Sequence, residues 1–266
     1  MSLEQIVLLA LIQGITEFLP ISSSGHLSLI DELTGMADQG ILMDVAVHAG
    51  TLGAVLLYFR RDVLAMTVGG LQIFTGRLTD DGKLALYLVV ATIPVIIVGY
   101  MLLKSGYAEQ LRVIEVVAWA NLAFAVLLWV ADRVGLTLRR LEHMTWGTAF
   151  LIGLSQVLAL IPGASRAGTT ITAARFLGFE RADAARFSML LSIPTILGAT
   201  VASLLEIYEA GNLELGIDMA IAALITFGTA LIAIHLFLKM MTTTTLLPFV
   251  LYRLALGAFL LAWLYL

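Results

Sequence analysis

Residues 11–25, LIQGITEFLPISSSG, place a carboxylate, a proline, three serines and two glycines inside an apolar run near the start of the chain. A second stretch, LSQVLALIPGASRAG at residues 154–168, has the same character. In each, a proline interrupts the helical pattern and small polar residues follow it. The apolar segments on either side are short for a crossing helix, which needs ~20 residues. We therefore predict two re-entrant helical hairpins, at residues 3–35 and 145–178.

The rest of the chain has the composition of a polytopic membrane protein. Of its 266 residues, 60% are hydrophobic and 13% are charged, and the mean hydropathy is +0.99. A soluble domain carries about 25% charged residues. Glu4 and Gln5 stand where a signal peptide has basic residues, so the first segment is not interpreted as a cleaved signal. Full-length spans are predicted at residues 45–59, 84–103, 113–131, 187–205, 217–238 and 246–266.

Some functional classes are excluded by composition. The chain has no cysteine, which excludes disulfides and thiolate metal sites. No basic patch suggests a nucleic-acid partner. The net charge of −4 gives no further indication of a partner.

Charge assigns the loops to sides of the membrane. Loops 60–83 and 132–144 are basic and are separated by two spans, so both are predicted to be cytoplasmic. Segment 175–186 is also basic, whereas loop 206–216 is acidic and is predicted outside. The chain is thus inside at both ends of the second hairpin, which must enter the membrane and return. The first hairpin is predicted to enter from the opposite side.

The two hairpins also resemble each other in sequence. With one gap, Gln13 aligns with Gln156, Pro20 with Pro162, and Ser23 with Ser165. Similar sequence in opposite orientation indicates an inverted-topology repeat, in which sites lie near the midplane at broken helices. We predict an all-α polytopic membrane protein, a single domain over 1–266, with repeats at 1–103 and 145–238. The alternative is chance similarity between apolar stretches.

The restart of a helix after each proline predicts an anion site. Helix N-termini near residues 22–25 and 165–168 present free N–H groups that attract anions. If the hairpins meet, Arg166 lies beside both and offers a bidentate fork to phosphate oxygens. An arginine inside an apolar region is usually functional, although interfacial snorkelling is the alternative. The predicted ligand is a phosphate or diphosphate in a hydrated cavity.

Glu17 is the second charged residue at unusual depth. It follows Gln13 by four positions, so the two share a helix face. Glu17 is interpreted as a general base, as a ligand for a cation, or as the partner of Arg166. Gln13 is a candidate for substrate binding, with packing as the alternative. Thr170 is a candidate phosphate donor, unless its hydroxyl bonds back to the helix.

The serines and the histidine offer nucleophiles. Ser22, Ser23 and Ser24 suit either helix capping or phosphate binding. A nucleophilic serine needs an adjacent base, and His26, three residues after Ser23, is the candidate. His26 is equally suited to be the nucleophile itself, or the acid that protonates a leaving group. The pair Asp44 and His48 is interpreted as a local contact rather than a metal site.

Together, QGITEFLPISSSGH and PGASRAGTT resemble the two signature regions of the bacitracin-resistance family, the undecaprenyl-pyrophosphate phosphatases. The first signature, Glu or Gln followed four residues later by Glu, corresponds to Gln13 and Glu17. The resemblance covers essentially the whole chain. Ala167 replaces the usual second serine of the other signature, which weakens any role for a hydroxyl there. The remaining matching positions are Ser23, His26, Pro162, Gly163, Ser165, Arg166 and Thr170.

The resemblance implies a function. It implies removal of the terminal phosphate from undecaprenyl diphosphate, which yields the monophosphate carrier for cell-wall synthesis, and a link to bacitracin resistance. It also implies a multi-pass protein of the bacterial inner membrane, a site facing the periplasm, and a homodimer. For a divalent cation we expect Mg²⁺ or Ca²⁺, with Glu17 as its ligand. The nucleophile is left open between Ser23 and His26.

Two rival functions follow from the same residues. The acid-phosphatase-like lipid phosphatases share Ser-Gly-His and Ser-Arg elements, but they need a histidine six residues after the arginine, where this chain has Thr172. A lipid-phosphate transporter or flippase is the stronger rival, because broken helices in inverted repeats are typical of carriers. Phosphate release separates an enzyme from a pure carrier.

Overall fold

The structure, a computed structural model, describes residues 2–27, 41–107, 109–111, 113–210 and 216–266. Over these residues the regular secondary structure is helical, apart from one isolated bridge between Arg139 and Phe179. Its helices are α1 (Leu3–Thr16), α2 (from residue 23, described to 27), α3 (Ile41–Tyr58), α4 (Arg60–Ile73), α5 (Asp80–Ser105), α6 (Ile114–Val134), α7 (Trp146–Gln156), α8 (Arg166–Phe176), α9 (Arg181–Ala210), α10 (Ile217–Thr243) and α11 (Leu247–Tyr265).

The spans predicted from hydropathy are present. Among the described residues, α5, α6, α10, α11 and the first 25 residues of α9 are each long and apolar enough to cross a membrane. The pair α3 and α4 qualifies together as a sixth span with a bend of 82°. The all-α polytopic class with about six full spans is therefore confirmed.

Residues 60–73, predicted as part of a loop, instead form helix α4. The prediction was wrong because the basic residues at the two ends of segment 60–83 were interpreted as a loop, although an amphipathic helix lies between them. Leu64, Val68 and Leu71 follow a helical spacing and are exposed along one face. On the other side the backbone of Gly69 lies against Gly82 at the start of α5, so closely that a Cβ on Gly69 would be 2.5 Å from the Gly82 nitrogen.

The acidic loop after α9 also begins later than predicted. Helix α9 continues to Ala210, so the first part of loop 206–216 is helical. The remainder, 211–215, lies outside the described residues.

Ion pairs join the three basic segments that were assigned to one side. They link Arg186 to Asp62, Arg181 to Asp132 at 2.6 Å, and Arg140 to Glu180 at 3.1 Å. Because these contacts connect loops 60–83, 132–144 and 175–186, the prediction that the three share a face is confirmed. That this face is cytoplasmic stays a prediction.

Both predicted hairpins are broken helices. Helix α1 ends at Thr16 and the next helix begins at residue 23. Helix α7 ends at Gln156, a 3₁₀ turn follows at Val157–Leu160, and α8 begins at Arg166. Residues 28–35 of the first predicted hairpin lie outside the described part of the chain. The re-entrant path through the bilayer stays a prediction.

The helix packing supports two exchanged repeats. Helix α1 packs on α10, α7 on α5, α3 on α10 and α9 on α5. If the two halves of the chain are exchanged, α1, α3, α5 and α6 take the places of α7, α9, α10 and α11. The α1–α10 contact then becomes α7–α5, and the α3–α10 contact becomes α9–α5. The α6–α11 and α3–α9 contacts are unchanged by the exchange. We propose on this ground that the inverted repeats extend one helix further than 1–103 and 145–238, to include α6 and α11.

Candidate active site

The two helix breaks share one unusual backbone conformation. Ser22 has a φ of 72° and Ser165 a φ of 71°, and no other described non-glycine residue has a positive φ. Each serine hydroxyl accepts a hydrogen bond from the N–H three residues later, at Gly25 and Gly168 respectively. Left-handed backbone at a non-glycine residue costs of order 1–3 kcal/mol and is concentrated at functional sites.

This conformation corrects the alignment of the hairpins. Ser165 corresponds to Ser22, because both cap the helix that follows, and not to Ser23 as the sequence alignment predicted. The gap came from pairing Pro20 with Pro162 and is not needed, because Ser22 lies nine residues after Gln13 and Ser165 lies nine residues after Gln156. The residues that start the two helices, Ser23 and Arg166, therefore occupy equivalent positions.

Glu17 is where the two hairpins meet. The Ser23 hydroxyl donates to Glu17 Oε2 at 3.0 Å, and Arg166 Nη2 donates to Glu17 Oε1 at 3.0 Å. Gln13 Nε2 donates to Glu17 Oε2, also at 3.0 Å, so the predicted shared face of α1 is present. The Glu17 side chain is only 7% exposed. The structure thus brings together four of the residues selected from the sequence.

Arg166 is held from several sides. Its Nη1 donates to the Ser188 carbonyl at 3.1 Å, and its guanidinium lies 5.9 Å from the centre of the Phe18 ring. Nη2 also approaches the Glu17 carbonyl at 3.4 Å. Within the described residues these contacts use three of the five guanidinium N–H groups. The Nε–H and one Nη1–H are left for a ligand.

Several predicted binding residues support the site without reaching Glu17. Ser22 and Ser165 cap helices, and Ser24 is exposed with its hydroxyl 3.3 Å from that of Ser22. Gly163, at φ 92°, packs against Val117 so closely that a Cβ would lie 2.4 Å from the Val117 carbonyl oxygen. Contact of these residues with substrate stays a prediction.

Thr170 bonds back to its own helix, as the alternative interpretation had it. Its hydroxyl donates to the Arg166 carbonyl at 2.9 Å and lies 2.7 Å from the Ser188 hydroxyl. The side chain is buried at the α8–α9 contact. Thr170 therefore supports the Arg166 position, and its predicted donation to phosphate remains untested.

His26 is held by α11 rather than by Ser23. Its Nδ1 donates to the Ser22 carbonyl at 2.7 Å, and its Nε2 lies 2.5 Å from the Tyr252 hydroxyl. Within the described part of the chain no hydrogen bond joins His26 to Ser23. The predicted Ser23–His26 pair is therefore replaced by Ser23–Glu17, because the α2 helix directs the two side chains to different neighbours.

Arg253 is a residue of the site that the sequence reasoning missed. It is fully buried and donates to the carbonyls of Pro20, Gly163 and Ala164 at 3.2, 2.8 and 3.1 Å. Its Nε donates to Asn121 Oδ1 at 2.8 Å. One guanidinium thus ties the two breaks together. The signal was present, because an arginine inside a predicted span is as unusual as Arg166.

We predict that Arg253→Met strongly destabilises the protein. The substitution removes the donors of three buried carbonyls, each worth roughly 1–3 kcal/mol when left unpaired. A loss of at least about 3 kcal/mol is expected in denaturant unfolding of the detergent-solubilised protein. Arg253→Lys should be intermediate, and the exposed Arg61→Met should leave the midpoint unchanged. An unchanged midpoint for Arg253→Met would show that the breaks hold together without it.

One buried oxygen beside Glu17 is available as a ligand for a cation. Gln13 is fully buried, and its Oε1 has no hydrogen-bond partner among the described residues. An amide oxygen and a carboxylate are ligands that Mg²⁺ and Ca²⁺ prefer. His48, interpreted from the sequence as part of a local contact with Asp44, makes that contact and also reaches the site, with its Nε2 3.4 Å from Gln13 Nε2. No described cluster of three His, Asp or Glu side chains exists, so phosphate oxygens would have to complete the coordination.

Comparison with known proteins gives one consistent result. The family model described as "Bacitracin resistance protein BacA" matches residues 6–259. An undecaprenyl-diphosphatase of Ruegeria pomeroyi is 48% identical over 262 residues, with 98% of each chain covered. One from Jannaschia sp. is 49% identical over 262 residues at the same coverage. One from Roseobacter denitrificans is 45% identical over 266 residues, with 100% of both chains covered.

Proposed function

The chain belongs to the bacitracin resistance protein BacA family, and we propose that it hydrolyses undecaprenyl diphosphate to undecaprenyl phosphate and inorganic phosphate. The observation that carries the proposal is the convergence of Ser23 and Arg166, from separate hairpins, on the buried Glu17. A nucleophile, a proton acceptor and an anion-binding arginine thus lie within one hydrogen-bonded cluster.

In the proposed complex, positive charge and N–H donors bind the negatively charged diphosphate. The two unused N–H groups of Arg166 and the backbone N–H groups at the starts of α2 and α8 form the proposed cradle. The transferred phosphoryl group spreads negative charge over its oxygens, so positioned donors supply most of the catalysis. A bound divalent cation, held by Glu17 and Gln13, would neutralise further phosphate charge.

Ser23 is the nucleophile that the geometry favours. In the proposed reaction its oxygen forms a bond to the terminal phosphorus while the bond to the bridging oxygen breaks and undecaprenyl phosphate leaves. Glu17 accepts the hydroxyl proton at its Oε2, 3.0 Å away. Water then attacks the phosphoserine phosphorus and the bond to the Ser23 oxygen breaks. The Ser23 oxygen takes the proton back from Glu17, and the two protons of the water leave with inorganic phosphate. His26 is the less suitable nucleophile, because both ring nitrogens are already hydrogen-bonded.

Ser23→Ala is expected to lower kcat at least about 10³-fold, as loss of a nucleophile does in other hydrolases. The exposed Ser105→Ala, at the end of α5, is the control and should stay within twofold of wild type. Both are measured as phosphate release from undecaprenyl diphosphate. Retention of more than a tenth of the activity by Ser23→Ala would transfer the role to His26 or to water.

The depth of the cluster supports a lipid substrate. His48 and Ser188 lie seven residues into α3 and α9, which is about 10 Å from the end of each helix. These ends lie on opposite sides, because Arg186 near the start of α9 pairs with Asp62 beyond the end of α3. The cluster is therefore near mid-depth, where a headgroup can arrive while its tail stays in the bilayer.

We also propose the bacterial inner membrane as the location and a site open to the periplasm. The ion pairs join the basic segments on one side of the helix bundle, and the positive-inside rule makes that side cytoplasmic. A homodimer is part of the same proposal and is tested by the mass of the detergent-solubilised protein.

A lipid carrier is the second candidate, because exchanged repeats with broken helices are typical of transporters. The deciding experiment is phosphate release from undecaprenyl diphosphate by the purified protein, with added Mg²⁺ or Ca²⁺ and with chelator. Release over many turnovers is expected for the enzyme, and its loss with chelator would establish the cation. Folded wild-type protein that releases no phosphate with cation present would favour the carrier.

A further inference from the structure

His26 is fixed on three sides. Its Nδ1 must donate to the Ser22 carbonyl, because a carbonyl oxygen only accepts. In the neutral ring Nε2 is then unprotonated and accepts from the Tyr252 hydroxyl at 2.5 Å. The two rings are also stacked, with centroids 5.6 Å apart and an angle of 6° between planes.

Tyr252 lies on α11, near the C-terminal end of the chain, and its neighbour in sequence is a buried, hydrogen-bonded arginine. The next residue, Arg253, is fully buried and holds the carbonyl of Pro20 just before α2. Helix α11 therefore contacts the start of α2 twice: Arg253 bonds to the Pro20 carbonyl, and Tyr252 bonds to the His26 ring. Tyr252 itself is 45% exposed, so its hydroxyl contributes little to packing.

We propose that Tyr252 is a positioning residue for the phosphatase reaction. Its hydroxyl keeps the His26 ring in one orientation and one tautomer, in which Nδ1–H donates to the Ser22 carbonyl and Nε2 accepts from Tyr252. The ring in turn holds the Ser22 carbonyl, and with it the turn that places the Ser23 hydroxyl beside Glu17. This inference rests on the proposed function, because it concerns the alignment of the same diphosphate site.

Tyr252→Phe removes the hydroxyl and keeps the stacked ring, so it separates the hydrogen bond from packing. We expect kcat to fall about tenfold with KM within twofold, by analogy with the 10–100-fold losses seen when outer-shell partners of metal-ligating histidines are removed. Tyr252→Leu should be no worse than Tyr252→Phe if the hydroxyl is what matters. The matched control is Tyr265→Phe on the same helix. The Tyr265 hydroxyl donates to Glu115 at 2.5 Å, and its removal should leave activity at the wild-type level.

A spectroscopic readout tests the contact independently of turnover. The chain has four histidines, so ¹⁵N-histidine NMR of the detergent-solubilised protein, assigned with His26→Gln, can follow the ring directly. The Nε2 signal of His26 should move in Tyr252→Phe to that of a nitrogen without a donor, and should not move in Tyr265→Phe.

Three outcomes would overturn the positioning role. They are an unchanged kcat in Tyr252→Phe, an equal loss in Tyr265→Phe, and an unchanged Nε2 signal in Tyr252→Phe. If wild-type protein itself releases no phosphate, the proposed function fails as well. Release by wild type with normal kcat in Tyr252→Phe overturns the inference about Tyr252 alone.

Discussion

Arg166→Ala is expected to lower kcat/KM for undecaprenyl diphosphate by at least about 10³-fold, the range found when an arginine that stabilises a transferred phosphoryl group is removed. Arg166 supplies the only side-chain cation with a described contact to Glu17. Its loss removes donors from the transition state and also leaves Glu17 buried without its positive partner. Phosphate release from purified variants measures the effect.

Arg166→Lys separates charge from geometry. Lysine keeps a cation beside Glu17 but loses the fork that donates to the Ser188 carbonyl and, in the proposed mechanism, to phosphate. We expect activity between wild type and Arg166→Ala, with folding close to wild type. The exposed Arg61→Ala controls for loss of positive charge elsewhere. Wild-type turnover in Arg166→Ala would remove Arg166 from the mechanism.

Glu17→Gln is expected to lower kcat by about 10²–10⁴-fold, the contribution typical of a positioned proton acceptor. Glutamine can accept a hydrogen bond from Ser23 but cannot take up its proton. The same change frees Arg166 from its carboxylate, and so the cradle should bind anions more tightly. The expected signature is a lower kcat together with a lower inhibition constant for inorganic phosphate.

The exposed Glu142→Gln is the matched control, since its carboxylate is 73% exposed. It should change neither kinetic constant. A fall in kcat with weaker phosphate binding would indicate that Glu17 acts as the ligand of the proposed cation rather than as the proton acceptor alone. Unchanged kcat in Glu17→Gln would contradict the assignment of Glu17 as proton acceptor.

The sequence predicted the features whose signals are local. Hydropathy gave the spans, prolines gave the two breaks, and the spacing of Gln13 and Glu17 gave their shared face. Arg166 was found because a charge in an apolar stretch is conspicuous. The positive-inside rule also assigned three basic segments to one side of the membrane, and ion pairs such as Arg181–Asp132 join these segments in the structure. Each of these inferences needs only a short window of sequence.

The features that escaped prediction depend on distant contacts or on backbone shape. Tyr252 and His26 are 226 positions apart, and no pattern in either segment predicts that they meet. The correspondence of Ser22 and Ser165 appears only in their φ angles. Arg253 was a different failure, because its charge was visible in the sequence but lay in an otherwise uninterrupted span.

A double-mutant cycle on Glu17 and Arg166 tests most directly whether the two hairpins form one catalytic centre. Phosphate release is measured for wild type, Glu17→Gln, Arg166→Lys and the double variant. Groups that act as a unit give strongly non-additive losses, so the double variant should be within about tenfold of the more damaging single change. Losses that multiply would show that Glu17 and Arg166 act independently, and would contradict the single centre proposed for this protein.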